Sequence, residues 1–242
     1  MSSPKQIVLI TGANRGIGFS IARFLARDHS FHVLLGSRDA QRGSTAAETL
    51  RSEGLSVEPL TIDITDDSSI AAAATSVSEK HGHIDVLVNN AGVLKDFEIV
   101  DDIRLRFSET FNINVFGGVS VLEAFLPLLS KATVPRVVFI TSKLGSITDR
   151  SDPKSEYEHV PCAAYRASKT AVNMVVAHYS SVYRDKGWKI NTVCPGSVKT
   201  EINNWTGKLT VEEAMPVIVK ACTLGADGDT GTFNDPFGPV DW

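Results

Sequence analysis

The sequence lacks basic runs and long hydrophobic runs. Lys and Arg together number 24 against 28 Asp and Glu, which gives a formal net charge of −4. No basic stretch could follow the phosphates of a nucleic acid, and Ile7 to Ile10, the longest apolar run near the start, is much shorter than a membrane span or a signal-peptide core. We therefore expect no nucleic-acid partner, no membrane insertion and a cytoplasmic location.

Cysteine is also scarce, with Cys162, Cys194 and Cys222 scattered along the second half of the chain. Three isolated thiols form neither a disulfide framework nor a zinc motif, so we expect a reducing compartment and buried thiols that act as small apolar side chains. The pair His81 and His83 has no accompanying carboxylate or thiol cluster in the sequence. A helix end followed by a turn explains it better, and no metal site is predicted.

The composition is that of a globular protein, with 43% hydrophobic and 21% charged residues and a mean hydropathy of +0.01. The length allows one or two domains. No linker rich in Pro, Gly and Ser and no repeat interrupts the chain, so a single domain over 1–242 is predicted.

Short apolar blocks alternate with amphipathic stretches from end to end. Strands are predicted at about 7–10, 32–35, 57–64, 85–88, 136–140, 189–193 and 231–233. Helices are predicted at about 16–27, 40–52, in the alanine-rich stretch up to 80, and at 102–130, 163–185 and 211–223. Continuous apolar strands joined by helical crossovers indicate an α/β fold: a doubly wound, seven-stranded parallel Rossmann sheet with helices on both faces. A polar, aperiodic stretch at 149–160 is predicted to be a surface insertion.

A glycine-rich turn follows the first predicted strand and opens the first predicted helix. Its glycines are Gly12, Gly16 and Gly18, in the spacing G-x-x-x-G-x-G. The first permits a sharp turn, the second lets a pyrophosphate approach the backbone, and the third lets the helix pack closely on the sheet. A tight strand-to-helix turn is the simpler explanation, but the strand–turn–helix context favours dinucleotide binding.

Five further motifs follow in a fixed order along the chain. They are Asn89-Asn90-Ala91-Gly92, Asn114-Val115-Phe116-Gly117, Ile140-Thr141-Ser142, Tyr165-Arg166-Ala167-Ser168-Lys169 and Pro195-Gly196-Ser197-Val198-Lys199-Thr200. With the glycine loop, they make the chain resemble the short-chain dehydrogenase/reductase family, in its single-domain, carbonyl reductase-like branch. This resemblance implies a nicotinamide-dependent oxidoreductase that acts on a small carbonyl or alcohol substrate.

The resemblance implies that four residues carry the chemistry: Asn114, Ser142, Tyr165 and Lys169. Tyr165 and Lys169 are four residues apart and therefore share one face of a helix. Tyr165 would donate a proton to the carbonyl oxygen, and the Lys169 ammonium is expected to lower the pKa of the phenol. Ser142 would hold the substrate carbonyl, and Asn114 would hold a water that connects Lys169 to solvent. An isolated Tyr–Lys pair is otherwise common on solvated helices, and a serine at a strand end often only caps a turn.

The resemblance also implies a set of cofactor-binding residues. They are Gly12, Asn14, Arg15, Gly16, Ile17, Gly18, Ser37, Arg38, Asp63, Ile64, Asn90, Ala91, Gly92, Tyr165, Lys169, Pro195, Gly196, Val198 and Thr200. Arg15 and Arg38 occupy positions that the family uses to select NADP(H), although both could be solvated surface residues. Asp39 leaves NAD open, because an acid near the end of the second strand can bind the ribose. Asp63 would contact adenine or simply close a turn, and Asn90 is expected to tie the fourth strand to the glycine loop.

The remaining expectations concern the substrate side. The segment 201–216 is predicted to form a mobile lid, and the residues expected to line the pocket are Val93, Leu94, Phe97, Leu144, Trp205 and Leu209. Ser142 and Tyr165 are separated by 22 residues, where many relatives have about a dozen, and the extra length leaves both a monomer and a homodimer open. Tyr157, within the insertion, has Pro161 where a lysine would be needed and is a poor alternative to Tyr165. An NADPH-dependent carbonyl reductase is therefore favoured over an oxidative NAD-dependent alcohol or steroid dehydrogenase and over a non-catalytic dinucleotide sensor or scaffold.

Overall fold

The computed structural model describes residues 5–98 and 102–242. The strands are β1 (Ile7–Ile10), β2 (His32–Ser37), β3 (Val57–Thr61), β4 (Val86–Asn89), β5 (Arg136–Ile140), β6 (Lys189–Val193), β7 (Phe233–Asp235) and β8 (Gly238–Pro239). The α-helices are α1 (Gly16–Asp28), α2 (Ala40–Ser52), α3 (Asp67–His81), α4 (Ile103–Phe111), α5 (Gly118–Leu129), α6 (Ile147–Ser151), α7 (Ala163–Tyr183) and α8 (Val211–Cys222).

The described strands form one sheet in the order β3-β2-β1-β4-β5-β6-β7-β8. The doubly wound α/β fold is thus confirmed, with one correction: the sheet has eight strands, and the last is antiparallel. Asp235 causes the reversal, because its Oδ1 accepts hydrogen bonds from the backbone N–H groups of Phe237 and Gly238 at 2.8 and 3.1 Å. This tight turn folds the two-residue β8 back onto β7.

The central strands are buried on both faces, as their continuous apolar sequences indicate. In β1, Val8 and Ile10 pack into the core on one side of the sheet, and Ile7 and Leu9 pack into the core on the other. Alternating side chains therefore supply two separate helix–sheet layers. Burial of apolar surface stabilises a fold by roughly 25 cal/mol per Å², so these two layers are the main source of the stability of the fold.

The predicted helix over 102–130 is two α-helices separated by a π-helical segment, Asn112–Gly117. Asp102 caps α4 by accepting a hydrogen bond from the Leu105 N–H at 3.1 Å. The continuous helical stretch Ile103–Leu129 is long and apolar enough to cross a membrane, but half of its most apolar window is buried inside the fold. A core helix of a globular protein has these same properties.

Two predicted strands end elsewhere than expected. The third stops at Thr61 rather than at 64, because Asp63 closes a turn by accepting hydrogen bonds from the N–H and the hydroxyl of Thr65 at 2.9 and 2.7 Å. The last lies at Phe233–Asp235 rather than at 231–233. The stretch 149–160 begins inside the short helix α6 and continues through turns.

Candidate active site

The glycine-rich loop after β1 packs directly against the loop after β4. Gly12 has a φ of +62°, a left-handed conformation that favours glycine. A Cβ on Gly18 would lie 2.5 Å from Asn90 Nδ2 and 2.7 Å from the Gly12 carbonyl oxygen. Asn90 Nδ2 donates to the carbonyl oxygens of Thr11 and Gly12 at 2.9 and 3.2 Å, which confirms that this residue ties β4 to the glycine loop.

The start of α1 is suited to an anion. Among the described residues, no side chain caps α1, and its first turn carries no acidic residue. A Cβ on Gly16 would meet no described atom within 4 Å, so the backbone there faces open space. Free N–H groups and the positive end of the helix dipole make such a terminus a binding site for phosphate. The glycine loop therefore fits the diphosphate of a dinucleotide.

The residues expected to determine the preference for NADPH or NADH follow strands β1 and β2. Arg38 is exposed just after β2. The carboxylate of Asp39 caps α2 by accepting a hydrogen bond from the Arg42 N–H at 2.9 Å, and this contact competes with a role as ribose ligand. The Arg15 guanidinium forms an ion pair with the Glu201 carboxylate across the mouth of the cleft.

Ser142, Tyr165 and Lys169 lie together beyond the carboxyl end of β5. The Ser142 side chain lies close enough to the Tyr165 phenol to lower its pKa, and the Ser142 hydroxyl accepts a hydrogen bond from the Leu144 N–H at 3.2 Å. The Lys169 ammonium lies 5.6 Å from the centroid of the Tyr165 ring and donates a hydrogen bond to the Ile140 carbonyl oxygen at 2.8 Å. The side chains that the sequence placed in one catalytic group therefore meet in the structure.

Burial dominates the protonation of this group. It lowers the pKa of Lys169 from 10.5 to about 8. Burial also raises the pKa of Tyr165 above its usual value, and the nearby Ser142 side chain only partly opposes this. The expected lowering of the Tyr165 pKa is therefore wrong for the protein alone, because loss of hydration is the largest influence on this pKa and raises it.

Asn114 is buried within the π-helical segment and faces the same cluster. Its Oδ1 accepts a hydrogen bond from the Val93 N–H at 2.8 Å, and its Nδ2 donates to the Val93 carbonyl at 2.9 Å and to the Ser168 hydroxyl at 3.0 Å. A Cβ on Gly92 would lie 3.2 Å from Asn114 Oδ1 and 3.6 Å from Lys169 Nζ. Asn114 thus holds the loop after β4 beside Lys169, and π-helical turns are frequent at functional sites.

Comparisons with known proteins agree with this geometry. A family model described as short chain dehydrogenase matches residues 6–208. The chain belongs to the short-chain dehydrogenase/reductase family. It is 38% identical to the short-chain dehydrogenase/reductase ATR10 of Stachybotrys chlorohalonatus, over 96% of this chain and 89% of that protein. It is 33% identical to carbonyl reductase (NADPH) 1 of Mus musculus, over 96% of this chain and 97% of that protein.

A solved structure extends the likeness to three dimensions. The NADPH-bound carbonyl reductase from chicken fatty liver superposes with a TM-score of 0.86 and 30% identity, over 99% of this chain and all of that one. The chain is thus an oxidoreductase of the short-chain dehydrogenase/reductase family, and carbonyl reductases are among its relatives.

The last part of this family site follows β6. Pro195, Val198 and Thr200 are buried there, and Val198 forms a β-bridge with Leu209. The predicted lid over 201–216 extends too far, because its last residues belong to α8. Ala214 and Met215 are fully buried in the core, which anchors this end of the segment.

A cavity of about 280 Å³ opens at Lys143, the residue after Ser142, and its lining does not include Ser142, Tyr165 or Lys169. It is lined by Lys143, Glu156, Tyr157, Cys194, Gly196, Ser197, Lys208, Leu209, Asp235 and Phe237. Of the residues predicted to line the substrate pocket, Leu209 is in this set. Trp205 and Phe97 are instead 65% and 62% exposed, since their segments turn outward in the described structure. The predicted insertion contributes Tyr157 to the wall and is therefore more than a surface loop.

Two positioning residues were not found from the sequence. The carboxylate of Asp96 accepts hydrogen bonds from the N–H groups of Ala164 and Tyr165 at 2.9 and 3.0 Å, so it caps α7 next to the phenol. The Cys194 thiol accepts hydrogen bonds from the N–H groups of Lys143 and Gly196 at 3.2 and 3.3 Å, which makes it more than an apolar filler. Neither residue carries a local sequence signal, because Asp96 acts on α7 and Cys194 acts on the loop after β5, and both segments are distant in sequence.

The histidine pair near the end of α3 requires a further correction. Gly82 ends α3 with a φ of +77°, as the predicted helix end and turn require. The expectation that no carboxylate accompanies His81 is wrong, because pairing of β2 with β3 brings Glu58 and His32 beside it.

Proposed function

We propose that the chain is an NADPH-dependent carbonyl reductase that reduces a ketone or aldehyde, with Tyr165 as the general acid. The observation that carries the proposal is the grouping of three side chains, with the Lys169 ammonium 5.6 Å from the centroid of the Tyr165 ring and Ser142 near the phenol. Burial keeps Tyr165 protonated at neutral pH by raising its pKa. A protonated phenol can donate a proton to a carbonyl oxygen, which is the role that carbonyl reduction needs.

The chain's own residues supply binding, orientation and the proton. Ser142 donates a hydrogen bond to the carbonyl oxygen and holds it against Tyr165, whose Oη gives its proton to that oxygen as the C–O double bond becomes single. The Lys169 ammonium stabilises the resulting phenolate by its charge and is the nearest source of a replacement proton. Asn114 fixes the loop beside Lys169 and would orient a water that returns the proton to the amine.

The residues present fit a nicotinamide dinucleotide. The uncapped start of α1 and the glycine loop would hold the diphosphate, and Lys169 would bind the ribose of the nicotinamide half. When bound, the reduced cofactor supplies the hydride that adds to the carbonyl carbon. Arg38 and Arg15 are the cations that would bind a 2′-phosphate, and capping of α2 engages Asp39, the rival ribose ligand.

Replacing Tyr165 by Phe tests the catalytic assignment. We expect kcat for NADPH-dependent ketone reduction to fall by about 10²–10⁴-fold, the usual range for loss of a general acid. NADPH binding, measured by nucleotide fluorescence, should change little. Tyr183→Phe on the same helix is the matched control and should keep full activity. Retention of turnover by the Tyr165→Phe variant would refute the assignment.

Replacing Arg38 by Ala tests the cofactor. KM for NADPH should rise by at least tenfold, whereas KM for NADH should change little, because only NADPH carries the 2′-phosphate. Arg51→Ala, at the far end of α2, is the control for loss of surface charge. An equal effect on both cofactors would contradict the NADPH preference. Turnover measured in both directions with both cofactors separates this proposal from an oxidative NAD-dependent dehydrogenase, and absence of any turnover would favour a sensor or scaffold.

A further inference from the structure

A second cluster of polar side chains lies at the amino-terminal edge of the sheet, opposite the catalytic group. His32 is the first residue of β2, Glu58 lies in β3, and His81 is the last residue of α3. One potential ligand atom from each lies within 4.8 Å of the other two. His81 Nε2 is 2.5 Å from Glu58 Oε1, and His32 Nε2 is 3.7 Å from the same oxygen.

The His32 ring is oriented as metal-binding imidazoles are. Its Nδ1 is 2.9 Å from the Ser56 hydroxyl, and this hydrogen bond fixes the ring and leaves Nε2 directed at the cluster. Nε2 is fully buried and has no hydrogen-bond partner among the residues that the structure describes.

Glu58 supplies the negative charge. The Lys80 ammonium pairs with Oε2, whereas both histidines face Oε1. The Lys80 side chain is 62% exposed, so its ammonium can move into solvent when another cation binds the Glu58 carboxylate.

We propose that His32, Glu58 and His81 form a binding site for a divalent transition-metal ion, with Zn²⁺ as the best match. Two imidazoles and one carboxylate are a borderline-soft donor set that suits Zn²⁺ and does not suit Mg²⁺. Ligand atoms that lie about 2.1 Å from a tetrahedral zinc are about 3.4 Å from one another. Side-chain rotations that move the ligand atoms by about 1 Å would therefore let all three bind one ion. The partial exposure of all three side chains leaves room for water as a fourth ligand.

The site would join elements that are far apart in sequence. The ligands come from β2, β3 and α3, so a bound ion would clamp one edge of the sheet to its covering helix. An ion that binds only the folded chain stabilises it by mass action, by about 2.7 kcal/mol at 100 times its Kd. The site goes beyond the proposed reduction, because it lies at the edge of the sheet away from the catalytic group.

Metal titration of the tag-free, chelator-treated full chain tests the proposal. We expect one Zn²⁺ to bind per chain by calorimetry and to raise Tm, with no comparable effect of Mg²⁺. Co²⁺ should give the visible absorption of a tetrahedral site. His32→Gln and His81→Gln should each weaken Zn²⁺ binding by at least tenfold and abolish the Co²⁺ spectrum, while His83→Gln, two residues away, should match the parent chain. Lys80→Gln should tighten binding, because it removes the ion that competes for Glu58.

Two outcomes would overturn the site. One is Zn²⁺ binding by the His32→Gln/His81→Gln double variant as tight as that of the parent chain. The other is failure of the parent chain to bind one equivalent of Zn²⁺ while it retains its native circular dichroism. Metal-free Tm values for every variant separate loss of a ligand from loss of folding. Ketone reduction is measured separately on the metal-free protein. Failure of the metal site and failure of the proposed function therefore give different results.

Discussion

Replacing Lys169 by Met should stabilise the protein at neutral pH while it removes activity. Lys169 is only 5% exposed, and burial lowers its pKa from 10.5 to about 8. Met has a similar length and no charge to dehydrate. The fold therefore bears a cost at this position that serves chemistry rather than stability.

The difference in pKa gives both the size and the sign of the effect. The folded-state pKa of Lys169, about 8, is below the unfolded value of 10.5, so the unfolded chain binds more protons between these values. Stability must then rise with pH across this window. At 1.36 kcal/mol per pKa unit, the penalty on the charged form is about 3 kcal/mol at pH 7, and most of it disappears by pH 10. Loss of the hydrogen bond to the Ile140 carbonyl offsets about 1 kcal/mol of the gain in the Met variant.

Urea unfolding at pH 7, 8, 9 and 10 measures the change of stability with pH directly. Trp188, which is buried beside Tyr183, reports the transition by fluorescence. The quantity of interest is the free energy of unfolding of the Met variant minus that of the parent chain, because other titrating groups cancel in it. We expect this difference to be positive at pH 7 and to fall by about 2 to 3 kcal/mol by pH 10. Lys154→Met, at an exposed position, corrects for removal of an ammonium in general.

A difference that stays constant from pH 7 to pH 10 would refute the reasoning. It would mean that Lys169 titrates alike in the folded and unfolded chains, and that burial does not set its pKa. A difference that rises with pH would mean that the folded state stabilises the ammonium. In either case the protonation scheme for Tyr165 would have to be abandoned as well.

Three further changes test the parts of the site that position the cofactor and the acid. Glu201→Gln should lower KM for NADPH by up to about fivefold, because it frees Arg15 from an exposed ion pair worth at most about 1 kcal/mol. An unchanged KM in steady-state kinetics would show that this ion pair does not compete with NADPH for Arg15. Asp96→Ala should lower the free energy of urea unfolding by about 1–2 kcal/mol, because it removes the cap of α7 beside Tyr165. It should also change kcat more than it changes KM for NADPH, and equal changes in both constants would contradict a positioning role. Gly18→Ala should destabilise the fold by about 1–3 kcal/mol and weaken NADPH binding, because its Cβ would collide with the glycine-loop backbone; normal nucleotide fluorescence would show that the loop can move aside.

The central sheet could be predicted because its signal is local. A run such as Ile7–Ile10 is apolar at every position, and only a strand buried on both faces uses four consecutive apolar residues in this way. The two-residue β8 has no comparable pattern, since it is created by the turn that Asp235 holds. The split of the predicted 102–130 helix also has no sequence signal, because the π-helical turn depends on tertiary contacts of Asn114.

The site was predictable to the extent that its residues occur in short motifs. Tyr165 and Lys169 share a helix face, so their proximity follows from spacing alone. Asp96 acts on α7 from 68 residues away, and the histidine cluster forms only when β3 pairs with β2. Contacts of this kind depend on the fold as a whole, and a single sequence does not encode them as a pattern.

The order of the pKa values in the catalytic pair also depends on the fold. In water, a tyrosine and a lysine have similar pKa values, about 10 and 10.4, so neither would give its proton readily to the other. Burial separates them, because it raises the pKa of Tyr165 and lowers that of Lys169 to about 8. A phenolate formed after proton donation is then the stronger base, and transfer of a proton from the Lys169 ammonium towards it is downhill. In the proposed reduction, the same loss of hydration that destabilises the folded chain would thereby restore the acid after each turnover.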